Sequence, residues 1–116
     1  MPKHNEVILR IWTARIRTEH EAEYSAYVAR TGSDDLHNTP GNLGHQITLR
    51  TLDDGTSEIA ALSWWTDMDA VRAFAGDEPH IARYYPEDDV WLLERPQHVE
   101  HHRVVHGFAA PAKERS

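Results

Sequence analysis

The stretch Leu43–Trp65 reads LGHQITLRTLDDGTSEIAALSWW and contains the clearest structural signal in the chain. Within Leu43–Leu52, three apolar residues share one parity, which is typical of a β-strand with one buried face. The DDGT segment at 53–56 then supplies turn-forming residues and a glycine, which readily adopts the positive φ of a short hairpin loop. Glu58–Trp65 follows as a second strand. We therefore expect an antiparallel β-hairpin in the middle of the sequence.

A strand and a helix are expected before the hairpin. Val7–Ile16 (VILRIWTARI) is apolar at both parities, which is typical of a central strand covered on both faces. Thr18-Glu19-His20-Glu21 has the form of a capping box, in which the Thr18 hydroxyl binds the N3 amide and Glu21 reaches back to the cap. The helix beginning there should end or kink at Gly32, and its apolar stripe comprises Ala22, Tyr24, Tyr27, Val28 and Thr31.

Two helices and a last strand are expected after the hairpin. Asp67 is placed to cap an amphipathic helix that Gly76 ends, with Met68, Val71, Phe74 and Ala75 on its apolar face. Pro79 permits a second short helix through Tyr85, and Val90–Leu93 is read as a short strand or helical turn. His98–His106 predicts the final strand, and residues 107–116 are expected to form a tail.

The element order is therefore β-α-β-β-α-β, the ferredoxin-like or split βαβ arrangement of an α+β protein. We expect one domain over residues 1–116, with its core at about 7–106. Two helices cover one face of such a sheet and leave the other bare. An apolar second face is predicted by Leu9, Ile11, Ile59 and Ala61. A second copy of the same sheet would cover it, so we expect a homodimer.

Charge and composition exclude several classes of protein. The 12 Lys and Arg residues are outnumbered by 19 Asp and Glu, giving a formal net charge of −7, which argues against nucleic-acid binding. No apolar run approaches the roughly 20 residues of a membrane helix. Cysteine is absent, which excludes thiol nucleophiles and cysteine-ligated metals. The N-terminus does not resemble a signal peptide, so a cytoplasmic location is expected.

A family resemblance rests on two motifs, Trp64-Trp65-Thr66-Asp67 followed by Ala70, Phe74 and Gly76, and Ala82–Asp88 (ARYYPED). With the element order over Val7–His106, these resemble the antibiotic biosynthesis monooxygenase family of dimeric α+β barrels. The resemblance implies subunits paired through their sheets, with a pocket between sheet and helices in each. Members include cofactor-free oxygenases acting on polycyclic phenols, haem-degrading enzymes, and proteins without an assigned reaction.

The resemblance implies a cofactor-independent monooxygenase acting on an aromatic or polyketide-like small molecule. Such chemistry needs an apolar pocket, a proton acceptor and a cation or donor for the developing oxyanion. Arg10 is the candidate cation, and His80, His102 and His45 are candidate bases. Aromatic walls for the substrate are offered by Trp12, Trp64, Trp65, Phe74, Tyr84 and Tyr85. Because Trp64 and Trp65 are adjacent on a strand, they should face opposite sides of the sheet.

Two alternatives remain open at this stage. One is a binding or stress-associated protein of the same fold without catalysis. The other is a haem-binding or haem-degrading enzyme, although the positions that carry that branch's pattern fall on Trp12, Phe74 and Arg83 or Tyr84 and are replaced. His80 is then the remaining candidate ligand. We expect no metal site at 98–106, because His98 and His102 on one strand would lie about 13 Å apart.

Overall fold

The computed structural model describes residues 7–107 and shows a four-stranded sheet with three α-helices. The strands are β1 (Ile8–Arg17), β2 (Asn42–Thr51), β3 (Thr56–Trp65) and β4 (Glu100–Arg103). The helices are α1 (Glu21–Arg30), α2 (Gly32–Asn38) and α3 (Met68–Ala75), and single 3-10 turns occupy Thr18–His20 and Asp88–Val90. Apart from Gly107, the expected tail at 107–116 lies outside the described residues. No helix between residues 7 and 107 has the length and apolar character needed to cross a membrane.

The sheet order is β2-β3-β1-β4, and every neighbouring pair is antiparallel. This order confirms the predicted ferredoxin-like α+β fold, in which the first strand lies inside the sheet and the last lies at its edge. The predicted hairpin joins β2 to β3 through a turn in which Gly55 has a φ of +83°. Pairing between β2 and β3 is irregular at Asn42 and Gly44.

The two faces of the sheet differ, because the helices cover only one of them. Alternate residues of β1 from Ile8 to Ile16 are buried beneath the helices, and the residues between them are half-buried. The expectation that β1 is covered on both faces is therefore wrong for the single chain. Leu9 and Ile11 lie on the uncovered face as expected. Ile59 does not, because its register with Ala14 places it under the helices, where it is fully buried.

Ala61 is likewise placed under the helices by its pairing with Trp12. The uncovered face, which we call the open face, instead obtains its apolar character from Leu9, Ile11, Leu62 and Trp64. The prediction of an apolar second face is thus correct for the β1 residues Leu9 and Ile11. On β3 the apolar residues of this face are Leu62 and Trp64, and not the predicted Ile59 and Ala61.

The first helix begins later than the capping-box pattern predicts. The Thr18 hydroxyl bonds with Ser57 Oγ at 2.9 Å, and Glu21 accepts from the hydroxyl of Ser57 at 2.5 Å, so neither side chain caps the helix. The predicted stripe is buried at Tyr24, Tyr27 and Val28, but Ala22 is exposed.

The break predicted at Gly32 is confirmed, although a second helix follows directly. This helix, α2, places Leu36 in the core with an exposure of 3 %. Its appearance reflects tertiary packing, because a seven-residue helix has little stability by itself.

The helix after the hairpin has the ends that were predicted. The carboxylate of Asp67 accepts a hydrogen bond from the amide of Ala70 at 2.9 Å, and Gly76 ends the helix with a φ of +95°. The helix expected from Pro79 to Tyr85 is absent: Pro79 and His80 form a turn, and residues 81–85 are not helical.

The reason is that the backbone of this segment pairs with a distant stretch. The amide of Ala82 donates to the carbonyl of Gln97 at 2.7 Å, and the amide of Val99 donates to the carbonyl of His80 at 2.9 Å. Ile81 forms an isolated bridge with His98. These bonds replace the local bonds of a short helix, and β4 is correspondingly shorter than the predicted strand His98–His106.

The glycine at position 41 provides a test of how α3 is seated on the sheet. Gly41 has a φ of +92°, and a Cβ there would collide with the Cβ of Ala70 on α3. The matched control is Gly55, which has a φ of +83° and nothing within 4 Å of an added Cβ. Both Gly→Ala changes cost about 1–2 kcal/mol in backbone strain. Gly41→Ala should cost about 1–3 kcal/mol more because of the collision.

Urea denaturation of the two variants measures this difference in the free energy of unfolding. Equal destabilisation by Gly41→Ala and Gly55→Ala would contradict the close approach of α3 to the turn.

Candidate functional site

A cavity lies between the helix-covered face of the sheet, the helices α1 and α2, and the extended segment after α3. The empty space between its walls is about 500 Å³, a figure that includes open solvent at its mouth. Apolar and aromatic side chains form most of its wall. The lining residues include Trp12, Tyr24, Val28, Leu36, Ile47, Ala61, Phe74 and Tyr85, together with Arg10, Arg83 and Asp88.

Arg10 places a buried positive charge at this cavity. Its side chain points beneath the helices because β1 alternates, and the residue is only 4 % exposed. Its Nε has no hydrogen-bond partner, and within residues 7–107 the guanidinium makes no ion pair with a carboxylate. Burial lowers the pKa of Arg10 to about 10, and the positive charge of Arg83 acts in the same direction.

The ring of Phe74 is in contact with both arginines. The Cζ of Arg10 is 5.2 Å from the ring centroid, and that of Arg83 is 5.0 Å away. Arg83 also donates to the carbonyl of Phe74 at 2.7 Å and to Asp35 at 3.4 Å. Phe74 and Arg83 line both the cavity and an adjoining surface groove, which also contains Asp35. These side chains therefore form the boundary between the cavity and the groove.

Two carboxylates near the cavity are bound by tyrosines rather than by Arg10. The Tyr24 hydroxyl donates to Asp88 at 2.8 Å, and the amide of Tyr85 donates to the other oxygen of Asp88 at 2.6 Å. The Tyr85 hydroxyl donates to Asp35. Burial, reinforced by these bonds, raises the pKa values of Tyr24 and Tyr85, so both hydroxyls stay protonated.

Among the predicted site residues, the structure brings Arg10, Trp12, Phe74 and Tyr85 together around the cavity. Tyr84 does not line it. Its ring packs edge-on against Trp12 with centroids 6.2 Å apart, and its hydroxyl donates to the carbonyl of Pro96 at 2.5 Å. Tyr84 therefore supports the wall behind Trp12.

The two tryptophans of β3 also lie away from the cavity, on opposite faces as expected. Trp65 is fully buried under α3, where its Nε1 donates to Ser63 Oγ at 2.9 Å. It packs with a second core cluster that includes Ile8, Leu36 and Val71. Trp64 lies on the open face and is half-buried.

None of the three candidate bases lines the cavity, although His45 is half-buried beside Ser63 on the helix-covered face. His80 is exposed, and its ring stacks on that of His98 with centroids 6.0 Å apart. His102 is exposed on the open face and bonds to Glu100 at 2.9 Å. The expectation that His102 points into the pocket is therefore wrong, because β4 pairs with β1 in a register that turns this side chain outward.

That register instead places His101, which is not among the predicted site residues, on the helix-covered side of the sheet. His101 lies opposite Arg10 on the neighbouring strand, and its Nε2 is buried without a hydrogen-bond partner. Burial lowers the pKa of His101 to about 4, with a further contribution from the charge of Arg10. The only signal for His101 in the sequence is the alternation of side chains along β4. This alternation assigns no face until the pairing of β4 with β1 is known.

Three solved structures share this fold. SnoaB, a cofactor-independent oxygenase from Streptomyces nogalater, has 20% identity and a TM-score of 0.52, covering 91% of this chain and 98% of that one. A candidate antibiotic biosynthesis monooxygenase from Bacillus cereus has 17% identity and a TM-score of 0.58, covering 90% and 99%. A haem-degrading protein from Mycobacterium tuberculosis has 17% identity and a TM-score of 0.57, covering 90% and 98%.

The chain has the fold of the antibiotic biosynthesis monooxygenases. At these identities the likeness establishes the fold alone. No model of a known protein family matches the sequence, and no curated protein matches it either.

Because a haem-degrading protein shares the antibiotic biosynthesis monooxygenase fold, haem can be tested against this cavity. Among the described residues, no histidine or methionine lines it. Its two tyrosines, Tyr24 and Tyr85, donate their hydroxyl protons to carboxylates. His80, the expected ligand, lies outside it. The donor set therefore does not fit an iron-bound haem, and residues 7–107 contain no cluster of three metal-ligating side chains.

His101 should make the stability of the protein depend on pH. Its folded-state pKa is about 4 against an ordinary value of 6.5, so between these values the unfolded chain binds the additional proton. The free energy of unfolding should consequently fall as the pH drops from 6.5 toward 4. His101→Gln, which cannot be protonated, should reduce this fall in urea denaturation measured across that range.

The matched control is His102→Gln, which changes the exposed histidine on the other face of β4. It should keep the pH dependence of the wild-type protein. An unchanged pH dependence in His101→Gln would show that His101 is not held neutral by burial.

Proposed function

We propose that this protein is a cofactor-independent monooxygenase that oxidises a small aromatic phenol or enol in the cavity beside Arg10. The observation that carries the proposal is a buried arginine without a counter-ion in the wall of an otherwise apolar, aromatic cavity. The similarity of the fold to a cofactor-independent oxygenase supports it. Trp12, Phe74 and Tyr85 are assigned to the substrate-binding wall.

The chemistry needs little beyond such a cavity. An electron-rich phenolate or enolate passes one electron to dioxygen, and the two radicals combine to form a C–O bond. A buried cation stabilises the oxyanion while the low polarity of the wall strengthens the interaction. Arg10 supplies that cation, and the aromatic wall excludes water from the intermediates.

The reaction balances without an external reductant. The substrate carbon that binds dioxygen carries the hydrogen to be lost, and the peroxide formed there takes up a proton. The O–O bond then breaks, the carbon loses its hydrogen as a proton and becomes a carbonyl, and the second oxygen leaves as water. The substrate thus supplies all four electrons that reduce dioxygen, so neither an organic cofactor nor a metal is required.

Oxygen uptake with an electron-rich phenol tests this function. A dihydroxynaphthalene is a suitable probe, because one dioxygen converts it to a coloured hydroxynaphthoquinone and one water. We expect the purified protein to accelerate this conversion in buffer containing a metal chelator. Arg10→Gln should lower kcat/KM by roughly a hundredfold, because it removes the charge that stabilises the oxyanion.

Arg72→Gln is the matched control, since Arg72 lies on the exposed surface of α3 and pairs with Asp69. It should leave the rate unchanged. Binding of the phenol without oxygen uptake would instead favour the alternative, a small-molecule-binding protein of the same fold without catalysis.

The working form of the protein is proposed to be a homodimer that pairs through the open face. Leu62 and Trp64 extend the apolar surface of Leu9 and Ile11 across the two central strands, and no helix of residues 7–107 covers it. Burial of such a surface favours association, and the sheet is self-complementary under a two-fold axis.

Sedimentation at micromolar concentration should give a species of twice the 13.3 kDa of one chain. Trp64→Lys should shift it toward the monomer, because the change places a charge in the centre of the apolar face. Ala26→Lys, on the exposed side of α1, serves as the control. A single 13.3 kDa species for the unmodified protein would contradict the dimer.

A further inference from the structure

We infer that the cavity takes its ligand as an oxyanion already ionised in solution, an apolar body carrying one phenolate, enolate or carboxylate group that pairs with Arg10. This inference deepens the proposed function and rests on it for the role of the cavity. It defines the ligand class by its charge, and it assigns no proton-abstracting residue to the protein.

The first observation is the state of Arg10. A charge that is only 4 % exposed is normally paired, because an unpaired buried ion is costly. Here Nε lacks an acceptor, and Phe74 offers its ring face at 5.2 Å from Cζ. The ring attracts a cation but accepts no conventional N–H···O bond. An incoming oxyanion supplies the missing acceptor.

The second observation is that the carboxylate lining the cavity and the one beside it already accept hydrogen bonds from the protein. Both oxygens of Asp88 accept hydrogen bonds, one from the Tyr24 hydroxyl and one from the Tyr85 amide. Asp35 accepts from Tyr85 and Arg83. His101 lies opposite Arg10, whose positive charge opposes a second positive charge beside it. With both carboxylates hydrogen-bonded, a ligand that arrives already ionised fits the cavity better than a neutral one.

The third observation limits the ligand to one negative charge. Asp88 is 3 % exposed and lines the same cavity as Arg10. A second anionic group on the ligand would lie in the field of this carboxylate without a cation of its own. The remaining wall is apolar, at Val28, Leu36, Ile47 and Ala61, and accommodates the uncharged body.

The experiment compares ligands of similar shape and different acidity by isothermal titration calorimetry. The probes are para-nitrophenol, which ionises near neutral pH, and para-methylphenol, which stays neutral. The corresponding methylbenzoate provides the carboxylate arm. We expect the nitrophenolate to bind at least tenfold more tightly than methylphenol, with affinity that increases as the nitrophenol itself ionises.

Arg10→Met is the deciding variant. It fills the position with an uncharged side chain of similar length, so the melting temperature of the ligand-free protein should stay level or rise. Anion affinity should fall roughly ten- to a hundredfold, while methylphenol binding stays unchanged. Arg10→Gln serves as the second variant if Arg10→Met does not fold, and Arg72→Met is the surface control.

Several outcomes separate this inference from the proposed function. Tight, Arg10-dependent binding of nitrophenolate or methylbenzoate without oxygen uptake by any phenol would support the inference and overturn the oxygenase. Oxygen uptake without any preference for the ionised ligand would support the oxygenase and overturn the inference. Equal affinity for nitrophenolate and methylphenol, or a preference that survives Arg10→Met, would overturn the inference.

Discussion

Ten consecutive residues of β1 pair with ten residues of β3, from Ile8 opposite Trp65 to Arg17 opposite Thr56. Because side chains alternate along a strand, this single register decides which face every residue of both strands occupies. Arg10 and Trp12 are directed toward the helices, and Leu9 and Ile11 toward the open face. A shift by one residue would expose the cavity wall and bury the open face.

The same register creates an electrostatic imbalance inside the protein. Arg10 is carried into the helix-covered layer with Ser63 and His101 as its neighbours across the sheet, and neither supplies a negative charge in the folded protein. The Phe74 ring compensates for part of the lost hydration, since a cation on an aromatic face is worth about 0.5–2 kcal/mol. Arg83 lies over the same ring and opposes the charge of Arg10. An apolar residue of similar volume at position 10 would therefore make the protein equally or more stable.

Much of the fold follows from local sequence. Alternation predicts the two hairpin strands and places Arg10 and Trp12 on one face, and Asp67 and Gly76 define α3 through local hydrogen bonding and a positive φ. The errors arise where a distant partner replaces a local one. Thr18 and Glu21 bond with Ser57 on another strand, so the capping box does not form.

Parity within β1 predicts Arg10 and Trp12 at the candidate site, and the family resemblance adds Phe74 and Tyr85, but no histidine was placed correctly. His80 loses its expected helical setting because its carbonyl accepts from the amide of Val99, whereas in an α-helix it would accept from the amide of Tyr84. His101 and His102 differ by one position on β4, and their opposite environments depend on the pairing of Arg10 with His101. Nothing in the sequence around residue 100 specifies that pairing, which is set by contacts between segments far apart in the chain.

The carboxylates around the cavity explain why Arg10 remains available. Asp88 and Asp35 both lie close enough to bond with residues of the cavity wall, and an ion pair with either would neutralise a buried arginine. Each is instead held by a tyrosine hydroxyl, Asp88 by Tyr24 and Asp35 by Tyr85. Hydrogen bonds to a charged acceptor are worth about 1.5–3 kcal/mol, so the tyrosines stabilise both carboxylates in their observed positions. Because Asp88 bonds with Tyr24, and Asp35 with Tyr85 and Arg83, neither carboxylate pairs with Arg10, and the proposed anion site rests on this imbalance.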